Sequence, residues 1–286
     1  MFAHAVSRVF IHFSLDAVRR SRRTGALLVA LLLLWSAAGA RAASPAVDNL
    51  ISRLPNPDQW QKSPLENALN DPGINDPGAR AVQNDLRRRD IPGAMRDVRK
   101  LSVQYPKSVG VQFLHGLLCL ATRQNYEAEA ALRRTVALQP KLMLGWYALG
   151  VSLERQGRYA DALGPIRRAA QEAPRNHVVV TELGFCYLRA GRVTEGEANC
   201  RQALRIKADF SPTWDTLGLC LRQEGKRSEA IEAFQRATKA PPPNVSAWTH
   251  LAETLRATGR HAEADAASEQ AKQLYLKAVA AARQRR

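Results

Sequence analysis

The chain has 286 residues, 45% hydrophobic and 24% charged, which leaves room for one large or two ordinary domains and excludes both a wholly disordered chain and a polytopic membrane protein. Aromatic residues are only 6%, the rich supply of Ala and Leu favours helices over a β-sandwich, and four cysteines are too few for a disulfide-dense scaffold. The net charge of +16, with a pI near 10.4, points to acidic partners: nucleic acid, anionic lipid or an acidic protein face.

Residues 1–43 read as a targeting segment. Arg19, Arg20, Arg22 and Arg23 form a basic cluster ahead of an uncharged apolar stretch, residues 26–40. Ala38-Gly39-Ala40 and Ala40-Arg41-Ala42 both fit the small-x-small cleavage pattern. The apolar stretch is 15 residues, short of the roughly 20 that a spanning helix needs. The segment is therefore a cleaved signal peptide or an uncleaved signal anchor. Either way the rest of the chain is expected outside the cytoplasm, in the periplasm or cell envelope, touching the membrane only if residues 26–40 are retained. Residues 1–43 hold six basic residues and one acidic residue, so the remainder has 36 against 25, a net +11. Nucleic acid is not expected in that compartment. Anionic envelope polymers, anionic lipid or acidic protein surfaces are the partners that remain.

Residues 44–78 carry six prolines and a doubled turn signal, Asn70-Asp71-Pro72-Gly73 and Asn75-Asp76-Pro77-Gly78. This stretch reads as an extended linker, with a short helix around residues 46–54. A docking segment centred on Trp60 is the alternative.

Beyond it the sequence repeats every 34 residues. Pro106, Pro140, Pro174 and Pro242 lie at that spacing or twice it. Gly116, Gly150, Gly184 and Gly218 form a second row, Gly157, Gly191, Gly225 and Gly259 a third, and Trp146, Trp214 and Trp248 a fourth. Each row has a structural meaning. Trp, Leu and Gly at i, i+3 and i+4 share one face of a first helix, where a small residue admits a close neighbour. The third row falls where a left-handed glycine ends a helix. Ala162, Gly196, Ala230 and Ala264 begin the buried stripe of a second helix, continued by Ile166, Cys200 and Phe234. Proline then closes the unit. Asn176 and Asn244 are expected to cap helices, as is Ser211 ahead of Pro212. Gly164-Pro165 falls inside a second helix and predicts a bend or short break.

The 34-residue unit with W-x2-L-G, a later small residue and a closing proline resembles the tetratricopeptide repeat (TPR) family. The matching units are 109–142, 143–176, 177–210, 211–244 and 245–278, with a degenerate unit at 75–108. The first full unit departs from the pattern: His115 replaces the leucine and Arg123 the turn glycine. The resemblance implies an all-α fold, a right-handed α-solenoid of stacked helix-turn-helix repeats over residues 79–286. The last unit lacks its proline and should run into a C-terminal capping helix with Ala271, Leu274, Tyr275, Ala278 and Val279 on its apolar side.

In this family the fifth, ninth and twelfth or thirteenth residues of each unit line a concave groove. The resemblance thus places Phe113, Leu117, Tyr147, Val151, Phe185 and Leu219 in an apolar and aromatic floor, with Arg155, Arg189, Arg222 and Arg256 along an edge. Asp215, Thr249 and Glu253 take the equivalent places further along. Such a groove suits a peptide or helix with apolar anchors and acidic flanks. The lysine/asparagine clamp of chaperone-binding relatives has no counterpart at the fifth positions. No catalytic constellation, metal-ligand spacing or cofactor motif is recognisable, so the expectation is a non-catalytic protein-interaction scaffold without cofactor or metal, in an assembly such as pilus, secretion or polymer export. A structural protein anchored to anionic polymer or lipid is the alternative. Cys119, Cys186, Cys200 and Cys220 are expected to be buried thiols, with Cys186 and Cys200 the best-placed pair for a disulfide, since the two helices of one repeat pack together.

Overall fold

A computed structural model describes Gly73, residues 76–88 and residues 90–284. Among these there are twelve α-helices and no strand. They fall into two compact units, one ending at Pro140 and the other beginning at Lys141. The expected signal segment, the short helix at 46–54 and the Trp60 region lie outside the described residues.

The first unit contains α1 (Pro77–Arg88), α2 (Ile91–Gln104), α3 (Val109–Ala121) and α4 (Asn125–Leu138). Its first hairpin is the degenerate repeat and its second the repeat 109–142. Asp76-Pro77-Gly78 is a helix start and not a free turn. Pro77 is the first residue of α1, and the Gly78 N–H donates to Asp76 Oδ1 at 2.7 Å. Helix α1 therefore begins two residues ahead of the boundary drawn from composition. Asp90 caps α2 by accepting from Gly93 N, and Ser108 caps α3 by accepting from Val111 N.

The second unit contains α5 (Met143–Arg155), α6 (Tyr159–Glu172), α7 (His177–Arg189), α8 (Val193–Ile206), α9 (Ser211–Gln223), α10 (Arg227–Lys239), α11 (Val245–Ala257) and α12 (His261–Gln284). These are four hairpins, each with an inner helix (odd number) and an outer helix (even number). Asn176 caps α7 through Val178 N and Val179 N, and Asn244 caps α11 through Ala247 N. Ser211 does not cap α9. Phe210 holds that place without a side-chain bond, while Ser211 Oγ donates to the Ala237 carbonyl at 2.7 Å and ties α9 to the end of α10.

Every inner-to-outer turn from α3 onward uses one device. Gly157, Gly191, Gly225 and Gly259 have φ between 76° and 81°. After α5, Gly157 N bonds to Glu154 O and Arg158 N to Leu153 O, and equivalent pairs follow α7, α9 and α11. Both bonds satisfy carbonyls that the helix end would otherwise orphan. The turn after α3 makes the same pair, Arg123 N to Leu120 O and Gln124 N to Cys119 O, with Arg123 itself at φ 60°.

The other glycine row sets how closely the two helices of a hairpin approach. A Cβ on Gly150 would lie 2.2 Å from Ile166 Cδ1, one on Gly218 2.5 Å from Phe234 Cε1, and one on Gly184 2.9 Å from Cys200 Sγ. In that last hairpin the outer helix also has a glycine, Gly196, whose Cβ would lie 3.0 Å from the Gly184 carbonyl oxygen. The buried stripe of the outer helices, Ala162, Ile166, Ala203, Ala230, Phe234 and Ala237, closes each hairpin. In the last hairpins it merges with Leu217, Leu221, Leu251, Leu255 and Ala264.

Two expectations need correction. Of the bend or short break expected at Gly164-Pro165, the break does not occur: helix α6 runs unbroken through Pro165. Proline removes one backbone donor there, but Ala162, Ile166 and Ala169 are buried on both sides of it, and that packing holds the helix through the missing bond. The apolar side of α12 is also shorter than expected. Ala264, Ala267 and Ala271 are buried, but Tyr275 and Leu276 are 58% and 54% exposed and Ala278 is exposed. The inner helix α11 is 13 residues against 24 for α12, so the last turns of α12 extend past it.

Candidate binding face

The expected floor residues divide by unit. In the first unit Phe113 and Leu117 are buried on α3. Beside them the departure His115 is accommodated by polar partners. Its Nδ1 lies 3.2 Å from Ser102 Oγ and its Nε2 lies 2.9 Å from Glu127 Oε1. Arg99 grips both oxygens of Glu127, at 2.8 and 2.7 Å, and also Gln124. The Arg99 guanidinium, with help from His115, holds the Glu127 carboxyl down to about 2. Burial pushes the His115 imidazole below its usual range, against the pull of Glu127. Burial, and then the Glu127 charge, pushes the Cys119 thiol up to about 12, so it is no nucleophile at neutral pH.

In the second unit the fifth and ninth repeat positions open progressively along the chain. On α5, Tyr147 and Val151 are 0% exposed. On α7, Thr181 is buried and Phe185 half-buried; on α9, Asp215 is buried and Leu219 half-buried; on α11, Thr249 and Glu253 are exposed. Side-chain bonds lock neighbouring inner helices together. Thr181 Oγ1 and Thr213 Oγ1 share a hydrogen bond of 2.6 Å, and Asp215 Oδ1 lies 2.8 Å from His250 Nδ1.

The arginines form a row, but an engaged one. Arg222 pairs with Glu253 and Arg256 with Asp265, each at 2.9 Å. Arg189 lies 4.7 Å above the Tyr159 ring, which also makes a T-shaped contact with Phe185. Arg155 is half-buried at the end of α5. Tyr159 was invisible to the repeat register because it begins an outer helix. What remains open is a shallow face of Phe185 and Leu219, bordered by guanidinium groups and the carboxylate of Glu253.

All four cysteines are free and buried, as expected, and the possible disulfide between Cys186 and Cys200 is not formed. Each residue of an α-helix turns about 100° from the last, so Cys186 faces well away from Gly184, which meets the outer helix. Cys186 Sγ instead lies within 4.8 Å of carboxylate oxygens of Glu154 and Glu182, while Cys200 Sγ sits over Gly184. The Cys200 thiol is instead hydrogen-bonded with the Cys220 thiol of the next hairpin, and that bond together with burial pushes the Cys200 thiol up.

Linear spacing suggested no metal ligands. The fold nevertheless brings two ligand-type groups together among the described residues, His115–Cys119–Glu127 and Glu154–Glu182–Cys186. In the first, the bidentate grip of Arg99 on Glu127 already fills the place a cation would take.

Comparison with known proteins places this arrangement. A family model for the middle TPR-like domain of cilia and flagella-associated protein 70 matches residues 160–275, and a tetratricopeptide repeat model matches residues 113–177. Together they span more than half of the chain. A curated TPR repeat-containing protein of Pseudomonas aeruginosa is 27% identical over 107 residues, which is 37% of this chain but only 18% of that relative. Among solved structures, PilW, a type IV pilus biogenesis factor, gives a TM-score of 0.57 at 16% identity over 68% of this chain and 89% of its own. The pilF protein of Pseudomonas aeruginosa gives 0.55 at 16% over 72% and 95%. MamA of Desulfovibrio magneticus gives 0.54 at 17% over 57% and 92%. At such identities the likeness is one of fold.

Proposed function

Because the chain belongs to the tetratricopeptide repeat family, we propose that it is a non-catalytic scaffold whose inner face in the second unit holds a segment of a partner protein. The observation that carries this reading is the open face of α7, α9 and α11. There Phe185 and Leu219 stay half-exposed between the guanidinium groups of Arg189 and Arg222 and the carboxylate of Glu253. Apolar anchors would settle on the two hydrophobes, and acidic flanks would compete for the arginines.

The setting we propose is the cell envelope, reached through the basic and apolar targeting segment at residues 1–43. The pilus-biogenesis role of PilW agrees with that setting and supports pilus or secretion assembly as the place to look. Anchoring to anionic polymer or lipid is the alternative, and it would draw on the excess of basic over acidic residues, which ion pairs such as Arg99–Glu127 and Arg192–Glu195 leave in place.

Crosslinking pull-down from envelope extract tests the proposal. Phe185→Ala combined with Leu219→Ala in the full chain should abolish capture while leaving the melting temperature within a few degrees, since both side chains are only half-buried. Undiminished capture by that variant would overturn the proposal. Tyr147→Ala is the wrong probe. It truncates a fully buried ring, and should cost about 3 kcal/mol of stability before any binding is lost.

A further inference from the structure

The outer helix α8 differs from its neighbours at two positions one turn apart. In the hairpins before and after it, the repeat position of Cys200 holds Ile166 and Phe234, each pressed onto the glycine of its inner helix. Here a thiol takes that place, over Gly184. One turn earlier α8 has Gly196, where α6, α10 and α12 have Ala162, Ala230 and Ala264. A Cβ on Gly196 would lie 3.2 Å from Cys220 Sγ, so the missing methyl group lets Cys220 of α9 settle on the face of α8 that carries Cys200. Both cysteines are 0% exposed, and their thiols share a hydrogen bond across the α8–α9 contact. Cys220 holds the place of Cys186 one repeat later, and it reaches back to the preceding hairpin, not forward to the outer helix of its own. A cysteine that serves only as a small hydrophobe needs no second thiol against it. Among the described residues, neither of the two belongs to a group of three or more ligand-type side chains, so a metal does not explain the pair.

We propose that Cys200 and Cys220 are a disulfide site, closed when the chain folds in an oxidising compartment, and that the bond ties the α7–α8 hairpin to the α9–α10 hairpin. The site is independent of the groove reading and of whichever partner the inner face holds. The oxidant is itself a disulfide, that of a dithiol oxidase or of a small thiol such as glutathione. The thiolate of one cysteine attacks a sulfur of that disulfide, leaving a mixed disulfide and releasing one oxidant sulfur as a thiol. The thiolate of the other cysteine then attacks the protein sulfur of the mixed disulfide and releases the second oxidant sulfur. Two electrons pass to the oxidant, and the two protons lost by the cysteines end on its two thiols. In the folded chain both sulfurs are buried, and the shared hydrogen bond together with burial pushes the Cys200 thiol up, so little thiolate forms there. The exchange therefore belongs to folding, before the α8–α9 contact shuts, and burial then shields the finished bond from reductants. The link closes a loop of about 20 residues, long enough to remove appreciable freedom from the unfolded chain.

Two measurements on the full chain test the proposal. First, the chain is unfolded with reductant, refolded in a mixture of reduced and oxidised glutathione, alkylated, and digested with trypsin without reduction. Arg189, Arg192, Arg201 and Lys207 let trypsin separate the peptides of Cys186, Cys200 and Cys220. Mass spectrometry should find the Cys200 and Cys220 peptides joined as the main linked species, and Cys186→Ala should leave that yield unchanged. Free thiols throughout, a different pairing as the main product, or loss of the link in Cys186→Ala overturns the proposal. Second, melting temperatures are compared after refolding with the glutathione mixture and with dithiothreitol. The reduced natural chain should melt at least about 5 °C below the oxidised one, whereas Cys220→Ala should change by less than about 1 °C. A natural chain that carries the link yet melts at the same temperature without it overturns the tie between the hairpins, as does an equal loss in Cys220→Ala.

Discussion

Arg123 is the residue at which the repeat pattern and the backbone disagree. Four hairpins place glycine in the left-handed turn; here an arginine takes φ 60°. A left-handed side-chain-bearing residue costs roughly 1–2 kcal/mol. Arg123→Gly should therefore raise the stability of the first unit by about 1 kcal/mol, read as a higher denaturation midpoint. The neighbouring departure, His115, makes a different prediction. Its imidazole and the Glu127 carboxyl both have native pKa values below their unfolded values of 6.5 and 4.5. The native state thus binds fewer protons than the unfolded chain in both ranges, and its stability falls as pH falls. The first loss begins below about pH 6.5 and belongs to His115. The second begins below about pH 4.5, is complete near pH 2, and belongs to Glu127. Denaturant midpoints across pH should show His115→Leu flattening the upper window and Glu127→Gln the lower. A profile identical to that of the natural chain in both variants contradicts the assignment. The departures at His115 and Arg123 were legible in the sequence, but the polar setting of His115 among Ser102, Glu127 and Arg99 was not. Those partners come from other helices, Glu127 from the next one and Ser102 and Arg99 from the one before, at separations that no repeat row marks.

At the scale of the helices, the period carried most of the fold. Identical spacing of Gly150, Gly184 and Gly218 correctly implied a close approach by a second helix, since only a missing Cβ admits Ile166, Cys200 or Phe234 at that distance. Gly218→Ala should accordingly cost about 1–3 kcal/mol through overpacking against Phe234. Phe234→Leu should cost less in the Gly218→Ala background than alone, because the two changes share one contact. Thermal melts of the four-member cycle check this, and strict additivity contradicts it. One regularity went unused. Arg158, Arg192 and Arg260 lie on the 34-residue spacing, each paired three residues on with Asp161, Glu195 or Glu263 at the start of an outer helix. The wrong readings at this scale came from local rules that packing overrode. Pro165 does not break α6, and Ser211 bonds to α10 instead of capping α9.

At the scale of the whole chain, the account joins a family fold to a partly covered inner face. The family registers named the floor residues but could not tell which of them are accessible. Tyr147 and Phe185 hold the fifth and ninth places of adjacent repeats, yet one is sealed and the other open, and only three-dimensional neighbours distinguish them. The charge of +16 is an excess over the acids that ion pairs within and between helices leave in place, but the two anchors of the inner face are apolar. Partner capture through Phe185 and Leu219 should therefore persist when ionic strength rises from 0.05 to about 0.5 M, whereas binding to anionic polymer should collapse over that range. The most direct test of the inner face places a photo-crosslinking side chain at Leu219 on α9, and in a second protein at Glu232 on the exposed side of α10. Illumination in envelope extract should yield a discrete partner adduct from position 219 and none from position 232; adducts of equal yield from both, or from position 232 alone, would contradict the account.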